Sequence, residues 1–253
     1  KTVEHVGVIN ADLTVGANVA AAKPLQANFG LACPGVQLSG QGFIVPPEAC
    51  DQFVGATQAA LIRKYVTGRD LMQERRDQYV FDTLGLSEQD LRSKYPDAFQ
   101  WLLDRVQPER QHNPRDKYRR EWWLHAEPRR RFRGALVGLS RFIVTSRTSK
   151  HRAFQFLTAD HLPETKILII ASDDSYVLGV LSSGTHIAFA DASGARLGAG
   201  NDSTYNHSEC FEKFPFPAAT PEQQARIRDL AEQIDAHRKR QQALHADLTL
   251  TGM

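Results

Sequence analysis

Arg129, Arg130, Arg131, Arg133, Arg141, Arg147, Lys150 and Arg152 fall within 24 positions that contain no acidic residue. Concentrated cations of this kind are what a surface needs to neutralise phosphates and release their counterions. The whole chain carries 31 basic against 29 acidic side chains over 253 residues, so the cluster is a local feature. The first part, Arg129-Arg130-Arg131-Phe132-Arg133, reads equally as a solvated helix start, because charge runs are usually solvated faces. The continuation, Thr145-Ser146-Arg147-Thr148-Ser149-Lys150-His151-Arg152, mixes hydroxyls with cations, and both groups bond phosphate oxygens. Arg129, Arg130, Arg131, Arg133, Arg147, Ser149, Lys150, His151 and Arg152 are therefore the candidate phosphate contacts. Together they predict a surface that reads DNA rather than a complete enzyme.

A second candidate is the segment from Arg196 to His207. Its bland reading is a Gly-rich surface loop. Its chemical reading is recognition of base edges: Asp202 can accept from cytosine N4, and Asn201 or Asn206 can bond adenine through two hydrogen bonds. Gly198 and Gly200 permit a close backbone approach. Other polar or aromatic residues read as structural. Trp122-Trp123 suit a core or an interdomain seam better than base stacking. Asp173-Asp174 suit a turn before a helix, with no third ligand near in sequence to make a metal site. His186 fits a phosphate donor and a structural hydrogen bond equally. Phe214-Pro215-Phe216-Pro217 reads as two rigid prolines and two buried rings that fix how a sheet region meets the terminal helix.

The elements that must hold these residues suggest an α+β fold, with a twisted, mostly antiparallel sheet, flanking helices and a long C-terminal helix. Residues 1–60 read as a linker and small N-terminal subdomain, with turns and short strands to about residue 47. A helix then opens at Pro46-Pro47 and runs toward Ile62, with Gly55 able to split it. Tyr79-Val80-Phe81 predicts a strand, Ser87 with Asp90 a helix cap, and Pro96-Asp97 a helix carrying Phe99, Leu102, Leu103 and Val106. Phe142-Ile143-Val144, Ala153 to Leu157 and Lys166 to Ala171 predict sheet strands. Ser175 to Ala190 is read as helix, although Val177 and Val180 would also suit a strand. Thr220, Pro221 and Gln223 open the terminal helix over residues 218–253. In it Ile227, Leu230, Ile234, His237, Gln241, Leu244 and Leu248 form a heptad seam that would pack on another helix, in this chain or in a partner.

Composition narrows the class. The chain is 42% hydrophobic and 24% charged, as ordinary globular domains are. No run of 18 apolar residues could span a bilayer, and the start has no signal-peptide core. Cys33, Cys50 and Cys210 are scattered, with no CxxC pair, which fits a reducing cytosol and a cytoplasmic protein. Both ends, Lys1 and Leu248 to Met253, read as cut from a longer polypeptide.

Taken in order, Tyr65-Val66-Thr67-Gly68-Arg69-Asp70-Leu71, Arg105 to Arg110, Trp122-Trp123, Arg141 to Val144 with Ser149 to Arg152, Leu181-Ser182-Ser183 with His186, and Cys210-Phe211-Glu212 with Phe214 to Pro217 resemble the target-recognition region of MmeI-like type II restriction-modification proteins. The resemblance covers nearly the whole chain, with residues 61–217 as the recognition domain. It implies duplex DNA as partner and an adenine-N6 methyltransferase domain upstream in the same polypeptide. That domain would use S-adenosylmethionine, with Mg2+ if a nuclease is fused. It also implies that Gly200, Asp202 and Thr204 stand at base-reading positions, with Asn201, Tyr205 and Asn206 beside them. The chain itself holds neither an Asn/Asp-Pro-Pro-aromatic motif nor a Gly-rich loop between a strand and a helix, so no catalytic, cofactor or metal residue is expected in it. The competing readings are a stand-alone DNA-processing enzyme and a protein-docking module that uses the helical seam.

Overall fold

The computed structural model describes residues 18–53, 55, 60–73, 76–197, 202–245 and 248–250. In chain order the elements are β1 (Ala32–Pro34), β2 (Ile44–Val45), α1 (Pro47–Cys50), β3 (Ile62–Val66), α2 (Gly68–Met72) and β4 (Gln78–Phe81). The helices α3 (Glu88–Lys94), α4 (Pro96–Arg105), α5 (Gln107–Gln111), α6 (Asp116–Arg120) and α7 (Arg130–Arg133) follow. Then come β5 (Arg141–Ser146), β6 (Thr148–Ser149), β7 (Gln155–Thr158), β8 (His161–Pro163) and β9 (Ile167–Ile170). The chain continues through α8 (Ser175–Leu181), α9 (Gly184–Ser193), β10 (Arg196–Leu197), β11 (Asp202–Thr204), a π turn over His207–Phe211, and α10 (Pro221–Leu244).

This is the α+β architecture expected, with a long C-terminal helix, but its strands divide among three sheets, ordered β1-β9-β5-β7, β2-β4-β3-β8 and β10-β11-β6. Only the β3–β8 pairing among the described strands is parallel. In the first sheet the side-chain period of two sends alternate residues to opposite faces. Ile143, Leu168 and Ile170 enter a core with Phe154, Phe156, Leu178 and Leu181. Phe142, Val144, Ile167 and Ile169 enter another, with Leu71, Met72 and Phe132. Both faces are covered, which is why the Ile167–Ile170 run is apolar without alternation. The second sheet packs on a third core, where Phe43, Phe81, Trp101, Leu102 and Trp122 meet. Trp122 and Trp123 thus serve packing, and their indole nitrogens donate to Glu88 and to the Leu86 carbonyl.

Three expectations need correction. The N-terminal segment is no separate linker where it is described, since β1 pairs with β9 and β2 with β4. The helix opened by Pro47 ends at Cys50, ahead of Gly55; Ala60 and Leu61 beyond it are helical again, and Ile62 begins a strand. Ser175 to Ala190 forms two helices, because Ser183 caps a new one at His186 N.

The heptad seam is corrected as well. Thr220 and Gln223 form the capping box as expected. However, Leu230, Ile234 and Leu244 are 42%, 43% and 67% exposed, and the helix stops before Leu248. The buried positions are Ala231 and Asp235. The partner of α10 is partly a strand edge: the Phe156 N–H donates to Asp235 Oδ1 at 3.1 Å, and Arg238 donates to the Phe154 carbonyl at 3.1 Å. Two side chains of the helix thereby satisfy backbone groups of edge strand β7 and of the residue just before it. Arg141 pairs with Glu232, and Arg228 with Asp174, which lock the helix further.

Candidate nucleic-acid interface

The hydroxyl-and-cation motif and the polar loop, about fifty positions apart in sequence, meet in one small sheet. Within it Ser203 pairs with Ser149 and Thr204 with Thr148. On the other side of β11, Leu197 pairs with Asp202 and Arg196 with Ser203. Gly194 makes this approach possible, because a Cβ there would lie 2.5 Å from the Thr204 carbonyl oxygen. The Thr204 hydroxyl ties the hairpin at its base, donating to Ala195 O at 2.6 Å and accepting from Ala195 N at 3.2 Å.

Beside this sheet lies an open cleft of about 920 Å³. Arg147, Thr148, Ser149 and Lys150 form one side, Asp202, Thr204 and Asn206 another, and Thr67, Gly68, Arg69, Gln73 and Arg76 at α2 a third. Lys166 also lines it. The α2 wall is fixed by local chemistry. Thr67 and Asp70 make a reciprocal capping box, Arg76 holds Asp70 with a 2.7 Å ion pair, and Gly68 N donates to Glu164 Oε1 at 2.8 Å. The cleft therefore gathers Arg69, Arg76, Arg147, Lys150 and Lys166 against Glu164 and Asp202. A concave site with an excess of cations focuses positive potential on an anionic ligand.

The structure separates the candidate residues into distinct roles. Lys150 and His151 are exposed, and neither side chain has a partner among the described residues. Arg147 is half-buried, and one of its guanidinium nitrogens donates to Thr165 O at 3.3 Å. Ser149 Oγ is buried without a partner in the cleft wall. Asp202 is half-buried and its carboxylate has no partner among the described residues. Asn206 uses its carbonyl oxygen to cap the π turn at Ser208 and has only its amide nitrogen left to offer. Gly200 and Asn201 lie outside the described residues.

Arg152, Arg133 and Tyr205 are corrections, for each is engaged inside the protein. Arg152 donates to the Ser146 and Ser203 carbonyls and lies over the Tyr205 ring, and burial pushes its pKa down. Arg133 makes a bidentate pair with the buried Asp82 carboxylate. Burial raises that carboxyl, and the bonds and charge of Arg133 outweigh it, leaving its pKa below the ordinary value. Tyr205 is buried, with its hydroxyl 3.0 Å from His186 Nε2. Thr204, too, has its hydroxyl committed to Ala195 rather than open to a base.

His186, left open between two roles, is structural. Its Nδ1 sits 2.7 Å from the Leu181 carbonyl, which requires a proton on Nδ1 and makes Nε2 the acceptor of the Tyr205 hydroxyl. Burial pushes its pKa down to about 4, so the ring is neutral near pH 7. The ring packs edge-on against Phe214, whose own neighbour is Phe216, which accounts for the Phe-Pro-Phe-Pro element. Asp174 caps α8 and pairs with Arg228, as a turn residue would. Among the described residues no cluster of three or more His, Cys, Asp or Glu could hold a metal ion.

Arg69, Arg76 and Lys166 were missed as cleft residues. Arg69 stood inside the Thr67 to Leu71 motif, but nothing local showed that this helix start faces residues 147–150. Arg129, Arg130 and Arg131 lie apart from the cleft, on α7 and the residue before it.

Among curated proteins none matches this chain. A solved structure of the Type IIL restriction-modification enzyme MmeI in complex with DNA shares the fold, with a TM-score of 0.73 at 17% identity. The similarity covers 96% of this chain and 32% of that one, so the chain spans about a third of its length. The family model described as MmeI, target recognition domain, matches residues 22–218. The chain accordingly belongs to the MmeI target recognition domain family.

Proposed function

We propose that this chain is the sequence-reading module of a restriction-modification DNA methyltransferase, and that the cleft between α2, β6 and β11 lies against duplex DNA. The observation that carries this reading is the pairing of Thr148–Ser149 with Ser203–Thr204, which brings Arg147 and Lys150 onto one rim with the Asp202 carboxylate. Arg147, Lys150 and Lys166 would bond phosphates and set the register, whereas Asp202 would accept a hydrogen bond from a base edge, cytosine N4 being the matching donor. Methyl transfer to adenine N6, with S-adenosylmethionine, would belong to a domain outside these residues; the chain supplies no base-holding or cofactor motif of its own. The module would then decide which adenine that domain flips out of the stack.

Selection from a randomised duplex pool tests the reading. The chain should enrich a defined sequence, and Lys150→Ala with Lys166→Ala should weaken binding about equally on enriched and random duplexes. Asp202→Ala should relax the preference at one base pair, by roughly 1–3 kcal/mol. Enrichment of no sequence, or an unchanged preference after Asp202→Ala, would overturn the assignment.

A further inference from the structure

The basic run from Arg129 to Arg133 does not line the cleft, and its residues split into braces and exposed cations. Arg129 adopts a left-handed backbone (φ 58°), rare for a side chain of its size, and donates to the Gly35 carbonyl at 3.1 Å. Arg133 is fixed to Asp82, and Phe132 is buried between them in sequence. Three of five consecutive residues thus bolt this turn to the protein. The remaining two, Arg130 and Arg131, are exposed and have no partner among the described residues. Contrast α6, whose Arg119 and Arg120 are both paired with Asp116. The α7 turn leads through Gly134–Leu136 to Val137, 82% exposed, and Gly138 at φ 87°. The result is a rigid knob with two unneutralised charges.

Short links connect the knob to the cleft. Arg129 bonds Gly35 O, while Gly35 N donates to Ile167 O, one residue after the cleft residue Lys166. Arg147 N donates to Lys166 O. His207, next to the cleft residue Asn206, feels the charges of both Arg147 and Arg129. Arg129 in the knob and Arg147 in the cleft thus act on the same imidazole, although the knob itself does not line the cleft. A duplex carries about one negative charge per 1.7 Å of its axis, so DNA seated at the cleft runs on and presents phosphates to whatever cations border it.

We infer that Arg130 and Arg131 form a second, sequence-independent clamp on the phosphate backbone of DNA flanking the recognised site. The inference rests on the proposed DNA-reading role of the cleft and adds a contact that holds DNA without reading it. An acidic protein face is the competing occupant. The extended anionic rod is favoured because two exposed guanidinium groups match its phosphates, and because Arg129 of the same turn acts with Arg147 of the cleft on His207.

Fluorescence anisotropy with the full 253-residue chain tests this, using an enriched and a random duplex of equal length over a salt series. Arg130→Ala with Arg131→Ala should weaken both complexes by about tenfold and reduce the slope of log affinity against log salt by about 1.8, two phosphate contacts' worth. Val137→Glu, at an exposed position, should weaken both by charge repulsion. Sequence preference should not move. Wild-type binding with unchanged slope in the variants would overturn the clamp and leave the cleft reading standing; failure of the wild type to bind any duplex would remove both. A changed base preference, or loss of binding to polyglutamate with DNA binding intact, would also overturn it.

Discussion

The Arg152 guanidinium reaches the Ser146 carbonyl, the Thr145 hydroxyl and the Ser203 carbonyl, and so bridges β5 to β11. A planar fork with several donors can do this; a lysine ammonium, with its single nitrogen, cannot reach the same spread of acceptors. Arg152→Met and Arg152→Lys should therefore both lower stability, by about 1.5–3 kcal/mol for the lost charge-assisted bonds. Lys150→Ala, only two positions away but exposed and unpaired, should change stability by less than about 0.5 kcal/mol. Urea denaturation of the variants measures the difference. Stability untouched in Arg152→Met, with DNA binding reduced, would return Arg152 to the phosphate contacts. Neighbours of like charge in sequence thus divide into a strut and a ligand, and only their surroundings tell them apart.

The close packing of α8 on α10 depends on Gly179. A Cβ there would meet Ile227 Cγ2 at 2.6 Å, the Ile227 carbonyl at 3.2 Å and Ala231 Cβ at 3.3 Å. Alanine would gain up to about 1 kcal/mol in helix propensity but would overpack the contact at a cost of about 1–3 kcal/mol. Gly179→Ala should thus destabilise on balance. Ile227→Ala made in that background should cost less than Ile227→Ala alone, because it removes the obstructing carbon. A double-mutant cycle by urea unfolding checks the coupling, and strict additivity would contradict it. This interface also shows what the sequence could and could not disclose. The start of α10 was legible because a capping box and a first-turn proline act locally. The buried face was not, because Asp235 and Arg238 face a strand edge that needs hydrogen-bond partners, and counting apolar residues cannot reveal that need. The same contrast holds at the cleft. The chemistry of residues 145–152 and 202–206 was readable from side-chain type, and their pairing fits that reading. The third wall was invisible, since Gly68 meets Glu164 across 96 positions of chain. Thr204 and Tyr205 stood among the base-reading candidates through the resemblance, and residue type alone does not announce the backbone or imidazole that already holds their hydroxyls.

Each of two main cores contains a neutral histidine that resists protonation, and this couples the fold to pH. His125 lies against the Phe43 ring with Nε2 2.8 Å from the Phe81 carbonyl, and burial pushes its pKa down to about 4. His186 is held near about 4 by burial in the other core. In the unfolded chain both return to about 6.5. Between about pH 6.5 and 4 the unfolded state takes up protons that the folded state refuses, so stability falls as pH falls. The slope should approach about 1.4 kcal/mol per pH unit for each histidine, and the contribution should vanish above pH 6.5. Asp82, with its pKa lowered by Arg133, extends the loss to still lower pH as its carboxyl protonates. The cores are linked, because β8 of the second sheet lies along the chain between β7 and β9 of the first, while Leu71 and Met72, just after β3, pack with Phe142 and Val144. A single transition is therefore expected. Trp101, Trp122 and Trp123 all lie in or against the core near His125, so their fluorescence reports that end alone, whereas far-ultraviolet circular dichroism also follows α10. His186→Gln should flatten the pH dependence of the urea midpoint equally by both probes. If the tryptophan transition kept its full pH dependence in that variant, the two ends would be unfolding independently, and the links through β8 and α2 would be too weak to make them one cooperative unit.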